Sequence, residues 1–151
     1  MDKYIKHFSE LSRDELYEIY KIRVAGFVVE QNCPYQEIDA CDREAYHVFF
    51  KEDGQIIAYA RVLPAGSTFE EVSFGRVLTL KRRQGLGTQI VKESIETAKD
   101  RFAAEKIVIE AQTYVKKMYA DLGFKETSEE FLEDGIPHVR MELDIKKQET
   151  E

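Results

Sequence analysis

Residues 81–88 read Lys-Arg-Arg-Gln-Gly-Leu-Gly-Thr and join an apolar, strand-like run to a stretch with helical spacing. This strand, glycine turn and helix constrain the fold more than any other feature of the chain. Glycine lets backbone N–H groups approach an anion without a Cβ in the way, and the start of a helix adds partial positive charge. Because the basic side chains supply counter-charge, the turn predicts a pyrophosphate-binding loop and a phosphorylated cofactor.

The spacing of the glycines separates the classes of phosphate-binding turn. The dinucleotide fingerprint G-x-G-x-x-G needs glycine at position 90, where this chain has Ile90, and the Gly-Lys-Ser/Thr of a P-loop is absent. The pattern that remains is Arg82-x-x-Gly85-x-Gly87. A helix that happens to begin with glycine after a charged turn is the alternative interpretation of the same residues.

Length, charge and cysteine content bound the class of protein. A chain of 151 residues with 43% hydrophobic content predicts one domain, residues 1–151, and a formal charge of −7 argues against broad nucleic-acid binding. No apolar run is long enough to span a membrane and the start is not a signal peptide, so we expect a cytoplasmic protein without a membrane partner. Cys33 and Cys41 lack metal-site spacing, which predicts reduced thiols and no bound metal.

Hydrophobic periodicity predicts the order of the secondary structure. Strand-like runs fall at residues 4–8, 46–51, 55–63, 74–80, 106–111, 124–127 and 139–145, with Asp53-Gly54 as a hairpin turn. Helical spacing predicts a first helix from a Ser12–Glu15 capping box to Val29, and further helices at 85–102 and 115–122. Residues 30–42 form a short irregular or helical segment, and the charged residues 146–151 a frayed tail.

The long helix between the fourth and fifth strands has a topological consequence. A helix between strands 74–80 and 106–111 makes them a right-handed parallel crossover, so we expect a mixed sheet. This order of elements, with the basic glycine turn before the long helix, resembles the GNAT N-acetyltransferase superfamily. Residues 27–35 with Asp39 and His47, and residues 133–138, resemble its ElaA-type branch.

The resemblance extends through Gly75-Arg76-Val77 and Ala111-Gln112 and so covers most of the chain. It implies a single GNAT-like domain of the α/β (α+β) class, with a mixed, mostly antiparallel central sheet and helices on both faces. The segment from Arg76 to the glycine turn is slightly shorter than is usual in this family. That departure affects the strand bulge and the amides that would face the cofactor.

The resemblance implies acetyl-coenzyme A as co-substrate. Backbone N–H groups of the glycine turn would bind the pyrophosphate, and the fourth strand would pair with the pantetheine arm. The residues implied to bind this cofactor are Val77, Leu78, Thr79, Arg82, Arg83, Gln84, Gly85, Leu86, Gly87, Thr88 and Gln112. Lys81 could also reach phosphate oxygens.

The resemblance also implies which residues do the chemistry. Tyr119 occupies the position of the general acid, because a phenol stays protonated at neutral pH and can donate to a leaving thiolate. An amine is almost wholly protonated at that pH, so a base must remove a proton. Glu110, Glu30 and His138 are the three open candidates, each with a salt bridge or loop role as the plainer interpretation.

Together these features predict an N-acetyltransferase. It would move an acetyl group from acetyl-coenzyme A to the primary amine of a small molecule or peptide by direct attack in a ternary complex. An acyl-homoserine-lactone-synthase-like acyltransferase and a non-catalytic coenzyme A-binding regulatory module are the alternatives. The acceptor is open, as is the choice between a monomer and a homodimer.

Overall fold

The computed structural model describes residues 1–81 and 85–146. Within them the strands are β1 (Asp2–His7), β2 (Tyr46–Glu52), β3 (Gln55–Leu63), β4 (Ser73–Thr79), β5 (Lys106–Gln112), β6 (Lys125–Glu126), β7 (Phe131–Glu133) and β8 (Ile136–Asp144). The α-helices are α1 (Arg13–Val24), α2 (Leu86–Phe102) and α3 (Lys116–Asp121). The predictions for Arg82, Arg83, Gln84 and the frayed end at 147–151 lie outside the described residues.

The first helix begins where the capping box predicts. Ser12 Oγ accepts a hydrogen bond from the Glu15 N–H at 3.0 Å, and the Glu15 carboxylate accepts one from the Ser12 N–H at 2.8 Å. After Val24 the helix continues as a π-helical turn, Ala25–Glu30. The predicted extent to Val29 is therefore confirmed, but the last part is wider than an α-helix, a feature often found at functional sites.

The strands form two antiparallel sheets. One has the order β1-β2-β3-β4, and the other has the order β5-β8-β6 with β7 paired to β8. A parallel bridge from Val72 to Ile107 joins them, and the Val108 N–H donates to the Val72 carbonyl at 3.0 Å. The mixed, mostly antiparallel arrangement agrees with the prediction, but the central sheet is divided in two because β4 and β5 part after this bridge.

A bulge in β4 lies directly after the bridge. Tyr59 pairs with Leu78 while Arg61 pairs with Gly75, so β4 has one more residue than β3 over this interval. Arg76, inside the bulge, has φ of 52°, in a region that residues other than glycine rarely occupy. A bulge bends and twists its strand. It therefore occurs at the point where β4 turns away from β5.

Helices cover both faces of the first sheet. Side chains alternate along β2, and Val48 and Phe50 pack in the cluster that contains α2, whereas Phe49 packs with Ile19 of α1. The Asp53-Gly54 turn has the expected positive φ values, 52° and 76°. Helices on both faces and the predicted hairpin are thus confirmed.

The acidic connection before the last strand departs from the prediction, which had no strand there. It contains β7, joined to β8 by Asp134 and Gly135 with φ of 51° and 78°. Two successive positive φ values are what a tight hairpin turn requires. The short, polar strand was missed because only three of its residues pair, while the last strand begins three residues earlier than expected, at Ile136.

A cluster of buried charges ties α1 to the segment that follows it. Arg23 is fully buried, with Nε and Nη2 each 2.6 Å from a carboxylate oxygen of Glu37 and Nη1 2.6 Å from Asp42 Oδ1. Both carboxylates are almost completely buried as well. Charge-assisted hydrogen bonds of this kind are short and strong. They fix residues 37–42 against the helix.

The cluster continues to β3 and to the bulge of β4. Arg61 donates to Asp39 Oδ1 at 2.7 Å and to Asp42 Oδ1 at 3.0 Å. Arg76 donates to the Glu37 carbonyl at 2.9 Å and lies 3.5 Å from Asp39 Oδ2. The three arginines of the cluster face three carboxylates, so the cluster is neutral and holds the bulged strand beside residues 37–42.

His47 of β2 completes the cluster in its neutral form. Its Nε2–H donates to the Asp42 carbonyl at 3.0 Å, which leaves Nδ1 to accept from the Tyr59 hydroxyl at 2.6 Å. Burial lowers the pKa of His47 to about 4, and the nearby Arg23 and Arg61 charges lower it against the opposing effect of Asp42. With a single proton, on Nε2, both nitrogens of the neutral imidazole have a hydrogen-bond partner.

Replacing Arg23 should unfold the protein far more readily. We expect Arg23→Met to lower the free energy of unfolding by about 3–5 kcal/mol, because it leaves two buried carboxylates without their partner. Lys21→Met, at an exposed position of the same helix, is the matched control and should change it by less than about 0.5 kcal/mol. Urea denaturation measures both, and equal losses would contradict the role given to Arg23.

The free energy of unfolding should also decrease as the pH is lowered through a range set by the pKa of His47. Its pKa is lowered from 6.5 to about 4, so the unfolded chain binds a proton in this range that the folded protein does not. We expect a loss of about 3 kcal/mol from this residue as the pH decreases through that range. His47→Gln keeps one donor and one acceptor without a titration, and parallel stability curves for it and the natural protein would contradict this assignment.

Candidate active site

A cavity of about 940 Å³ lies where β4 and β5 part. One wall consists of the free edge of β4, the first turn of α2, the end of β5 and one side of α3. The other consists of the π-helical turn, residues 30–39 and the β7–β8 hairpin. Its volume is at the upper end of the range of roughly 300–1,000 Å³ for small-molecule sites.

The start of α2 offers unpaired backbone donors. Gly85 is the N-cap with φ of 82° and provides no side-chain cap, so the N–H groups of Leu86, Gly87 and Thr88 have no partner within the helix. Gly87 lines the cavity, while the Leu86 side chain is buried in the core. These amides have the arrangement expected of an anion site. Lys81, in contrast, pairs with Glu52 at 3.1 Å.

The edge of β4 that faces away from β3 lines the same cavity through Val77, Leu78 and Thr79. The Leu80 N–H donates to the Ile57 carbonyl at 2.8 Å, so alternation along the strand directs the Thr79 N–H to the open edge. An open strand edge can pair with an extended ligand. Gln112, at the end of β5, lies on the opposite side of the gap.

Tyr119 lies on α3 with its ring packed against Phe74 and Phe124, and only 6% of it is exposed. It lines the cavity, and no residue in the described ranges forms a hydrogen bond with its hydroxyl. Burial raises the pKa of Tyr119, with a smaller contribution from Tyr114. The phenol therefore keeps its proton at neutral pH.

The three candidate bases all line the cavity. Glu110 is open to the cavity, yet its carboxyl group lies within hydrogen-bonding reach of Glu133, and burial together with this neighbour raises the pKa of Glu110 to about 7. His138 Nδ1–H donates to the Ile136 carbonyl at 2.7 Å, which directs Nε2 toward Glu133 at 3.7 Å. Glu30 is exposed at the end of the π-helical turn.

Sequence reasoning missed several residues of the second wall. Glu133 and Asp134 line the cavity from the β7–β8 turn, and Arg61 and Arg76 line it from β3 and β4. The match of residues 133–138 to a family branch was the available signal for the first two, but it was used only for His138. The buried partners of the arginines are distant in sequence, and nothing local indicated them.

The described part of the chain contains neither a metal site nor a membrane-spanning helix. Its His, Cys, Asp and Glu side chains do not assemble in groups of three that could hold a metal ion. The helices described are too short or too polar to cross a membrane.

Proteins of known family resemble this chain in both sequence and structure. The model of the acetyltransferase (GNAT) domain matches residues 10–145. Protein ElaA of Escherichia coli is 36% identical over 92% of this chain and 94% of its own, and its crystal structure superposes with a TM-score of 0.88. An acyl-CoA N-acyltransferase from Pseudomonas aeruginosa has the same TM-score at 34% identity, covering 95% of this chain and 99% of its own.

A more distant structural similarity concerns the acyl-homoserine-lactone-synthase-like alternative. The coenzyme A-dependent acyl-homoserine lactone synthase BjaI superposes with a TM-score of 0.75, covering 97% of this chain and 83% of its own, but only 16% of residues are identical. That similarity extends to the fold alone.

Proposed function

Because this chain belongs to the GNAT acetyltransferase family, we propose that it transfers an acetyl group from acetyl-coenzyme A to the primary amine of a small molecule or peptide. One observation supports this most directly. Gly87 in the first turn of α2, the open edge of β4, Tyr119 and Glu110 all line one cavity. Direct transfer needs these four elements together.

The residues present fit a coenzyme A thioester. The amides of residues 85–88 bind the pyrophosphate, and the Thr79 N–H lies on the strand edge that pairs with the pantetheine arm. Bound there, coenzyme A supplies an activated acetyl group. An edge N–H near the bulge donates to the thioester oxygen as negative charge develops, a contribution of a few kcal/mol.

Of the three candidate bases that line the cavity, we propose Glu110. A base works best when its pKa is near the operating pH, and that of Glu110 is about 7. Glu110 takes a proton from the acceptor ammonium, and the neutral nitrogen then forms the new C–N bond as the C–S bond breaks. Tyr119 keeps its proton and donates a hydrogen bond to the leaving thiolate, because the ordinary pKa of a phenol, about 10, already exceeds that of a thiol and burial raises it further. The second proton that the acceptor nitrogen loses as it becomes an amide passes to this thiolate.

A thiol-release assay against a panel of amines tests the activity, with calorimetry to measure acetyl-coenzyme A binding. Release that depends on an amine supports the proposal. Absence of release with every amine, while coenzyme A still binds, would favour a non-catalytic binding module. Absence of both would remove the proposal.

Loss of the Tyr119 hydroxyl should slow turnover without weakening cofactor binding. We expect Tyr119→Phe to lower kcat by about 10²-fold or more, because the developing thiolate loses its donor. The acetyl-coenzyme A Kd should stay within about twofold, since the ring packing is retained. Tyr17→Phe, at a tyrosine that is 69% exposed, is the control and should behave as the natural protein. A parallel loss of kcat and cofactor affinity in Tyr119→Phe would contradict this role.

The pH dependence of kcat/KM should identify the base. If Glu110 must be ionised, kcat/KM rises with pH through a midpoint of about 7. Glu133→Gln removes the neighbouring negative charge and should move the midpoint to lower pH. Glu129→Gln, a neighbouring acidic position outside the cavity, should not. An unchanged midpoint in Glu133→Gln would exclude Glu110 in favour of Glu30 or His138.

A further inference from the structure

Among the described residues, the charges that line the cavity do not balance. Five of their carboxylates line it, from Glu30, Asp39, Glu110, Glu133 and Asp134, against two guanidinium groups, from Arg61 and Arg76. Both arginines are already committed to other partners. Arg61 pairs with Asp39 and Asp42, and Arg76 pairs with Glu37 and Asp39.

Four carboxylates remain once the paired groups are set aside. In the described part of the chain no Lys or Arg nitrogen lies within 4.0 Å of Glu30, Glu110, Glu133 or Asp134. Arg140 acts on Glu110 from a distance, but its own close partners are Glu71 and Glu142. Even with Glu110 protonated, a net negative charge of about three from these described carboxylates faces the cavity.

A second observation, on the opposite wall, supports a ligand site in the space between the two walls. Tyr119 is 6% exposed and lines the same cavity, and among the described residues nothing bonds its hydroxyl. Its hydroxyl oxygen is accessible from the cavity, since Arg61 Nε is the one enclosed side-chain N or O atom without a partner among the described residues. A ligand that enters between the carboxylates and α3 can accept a hydrogen bond from this hydroxyl.

We infer that the acceptor is a small aliphatic amine with a second positive charge and no carboxylate. This inference rests on the proposed function and narrows it. The reacting nitrogen must be neutral when it attacks, so it cannot satisfy the surplus carboxylates at that moment. A second cationic group on the same molecule can, whereas a carboxylate on the acceptor is repelled.

The rest of the lining fits the body of such a molecule. Phe27, Leu63 and Phe69 contribute apolar surface to the cavity, which suits methylene groups between two charged ends. The volume of about 940 Å³ must also hold the thioester end of the cofactor. The space that remains favours a small acceptor over a folded protein.

Three five-carbon amines test the inference by steady-state kinetics. Diaminopentane, pentylamine and aminopentanoate share the reacting amine and a five-carbon backbone, and their far ends carry a positive charge, no charge and a negative charge, respectively. We expect kcat/KM for diaminopentane to exceed that for pentylamine about tenfold, and aminopentanoate to be the poorest. Added salt should shrink the difference, because exposed charges are screened.

Two substitutions link the preference to the cavity wall. Asp134→Asn keeps the shape of a residue whose φ of 51° asparagine also tolerates, and it should reduce the preference for diaminopentane over pentylamine by about two- to fivefold. Glu130→Gln, an exposed acidic residue outside the cavity, is the control and should leave the preference as it is. Equal effects of the two would assign the preference to overall charge and overturn the inference.

The outcomes separate this inference from the proposed function. Acetylation of all three amines at similar rates, or a preference for aminopentanoate, leaves the transferase in place and overturns the inference. If no amine is acetylated, the proposed function fails. Calorimetry in the presence of coenzyme A then tests whether the cavity binds a dication. Tighter binding of diaminopentane than of pentylamine then supports a dication site, and equal binding overturns it.

Discussion

The guanidinium of Arg23 is the interaction on which the rest of the site depends. It bonds two carboxylates that come 14 and 19 residues later in the chain, and through them it reaches β3 and the bulge of β4. Burying four charged groups, Arg23, Glu37, Asp42 and Arg61, costs several kcal/mol for each ion, and Arg61 Nε has no hydrogen-bond partner among the described residues. Apolar side chains would fill the same space at lower cost. The charged groups instead hold the segment that forms the second cavity wall in a single conformation.

That arrangement has a consequence for the sheet. An unpaired strand edge in the middle of a protein is unusual, because its N–H and C=O groups lose their partners. Here the β4 bulge occurs immediately after the Val72–Ile107 bridge, and Arg76 holds the bulge in place through Glu37. The positive φ of Arg76 is therefore sustained by contacts outside its own strand. The cluster thus maintains both an open backbone edge and the wall opposite it.

Local patterns in the sequence were enough to predict most of the elements. The Ser12–Glu15 capping box, the Asp53-Gly54 turn and the glycine at the start of α2 act over a few residues, and the structure confirms each. Arg23 lies within the predicted first helix, but its partners depend on the tertiary fold. The same limit applies to Glu133, because the sequence around it does not indicate that β7 brings its carboxyl group to Glu110. Placing Glu30, Glu110, His138 and Tyr119 around one cavity required family resemblance as well as periodicity.

The two groups of charges beside the cavity have opposite electrostatic characters. The cluster around Arg23 is neutral and buried, so it holds its geometry over the pH range in which His47 stays uncharged. The carboxylates of β5 and the β7–β8 hairpin are more accessible, and among the described residues no Lys or Arg pairs with Glu110, Glu133 or Asp134, so the pKa of Glu110 responds to what enters the cavity. A cation near Glu133 stabilises the ionised form of Glu110 as well, which lowers its pKa. An acceptor with a second positive charge would therefore help to ionise the base that removes its proton, coupling recognition of the substrate to its activation.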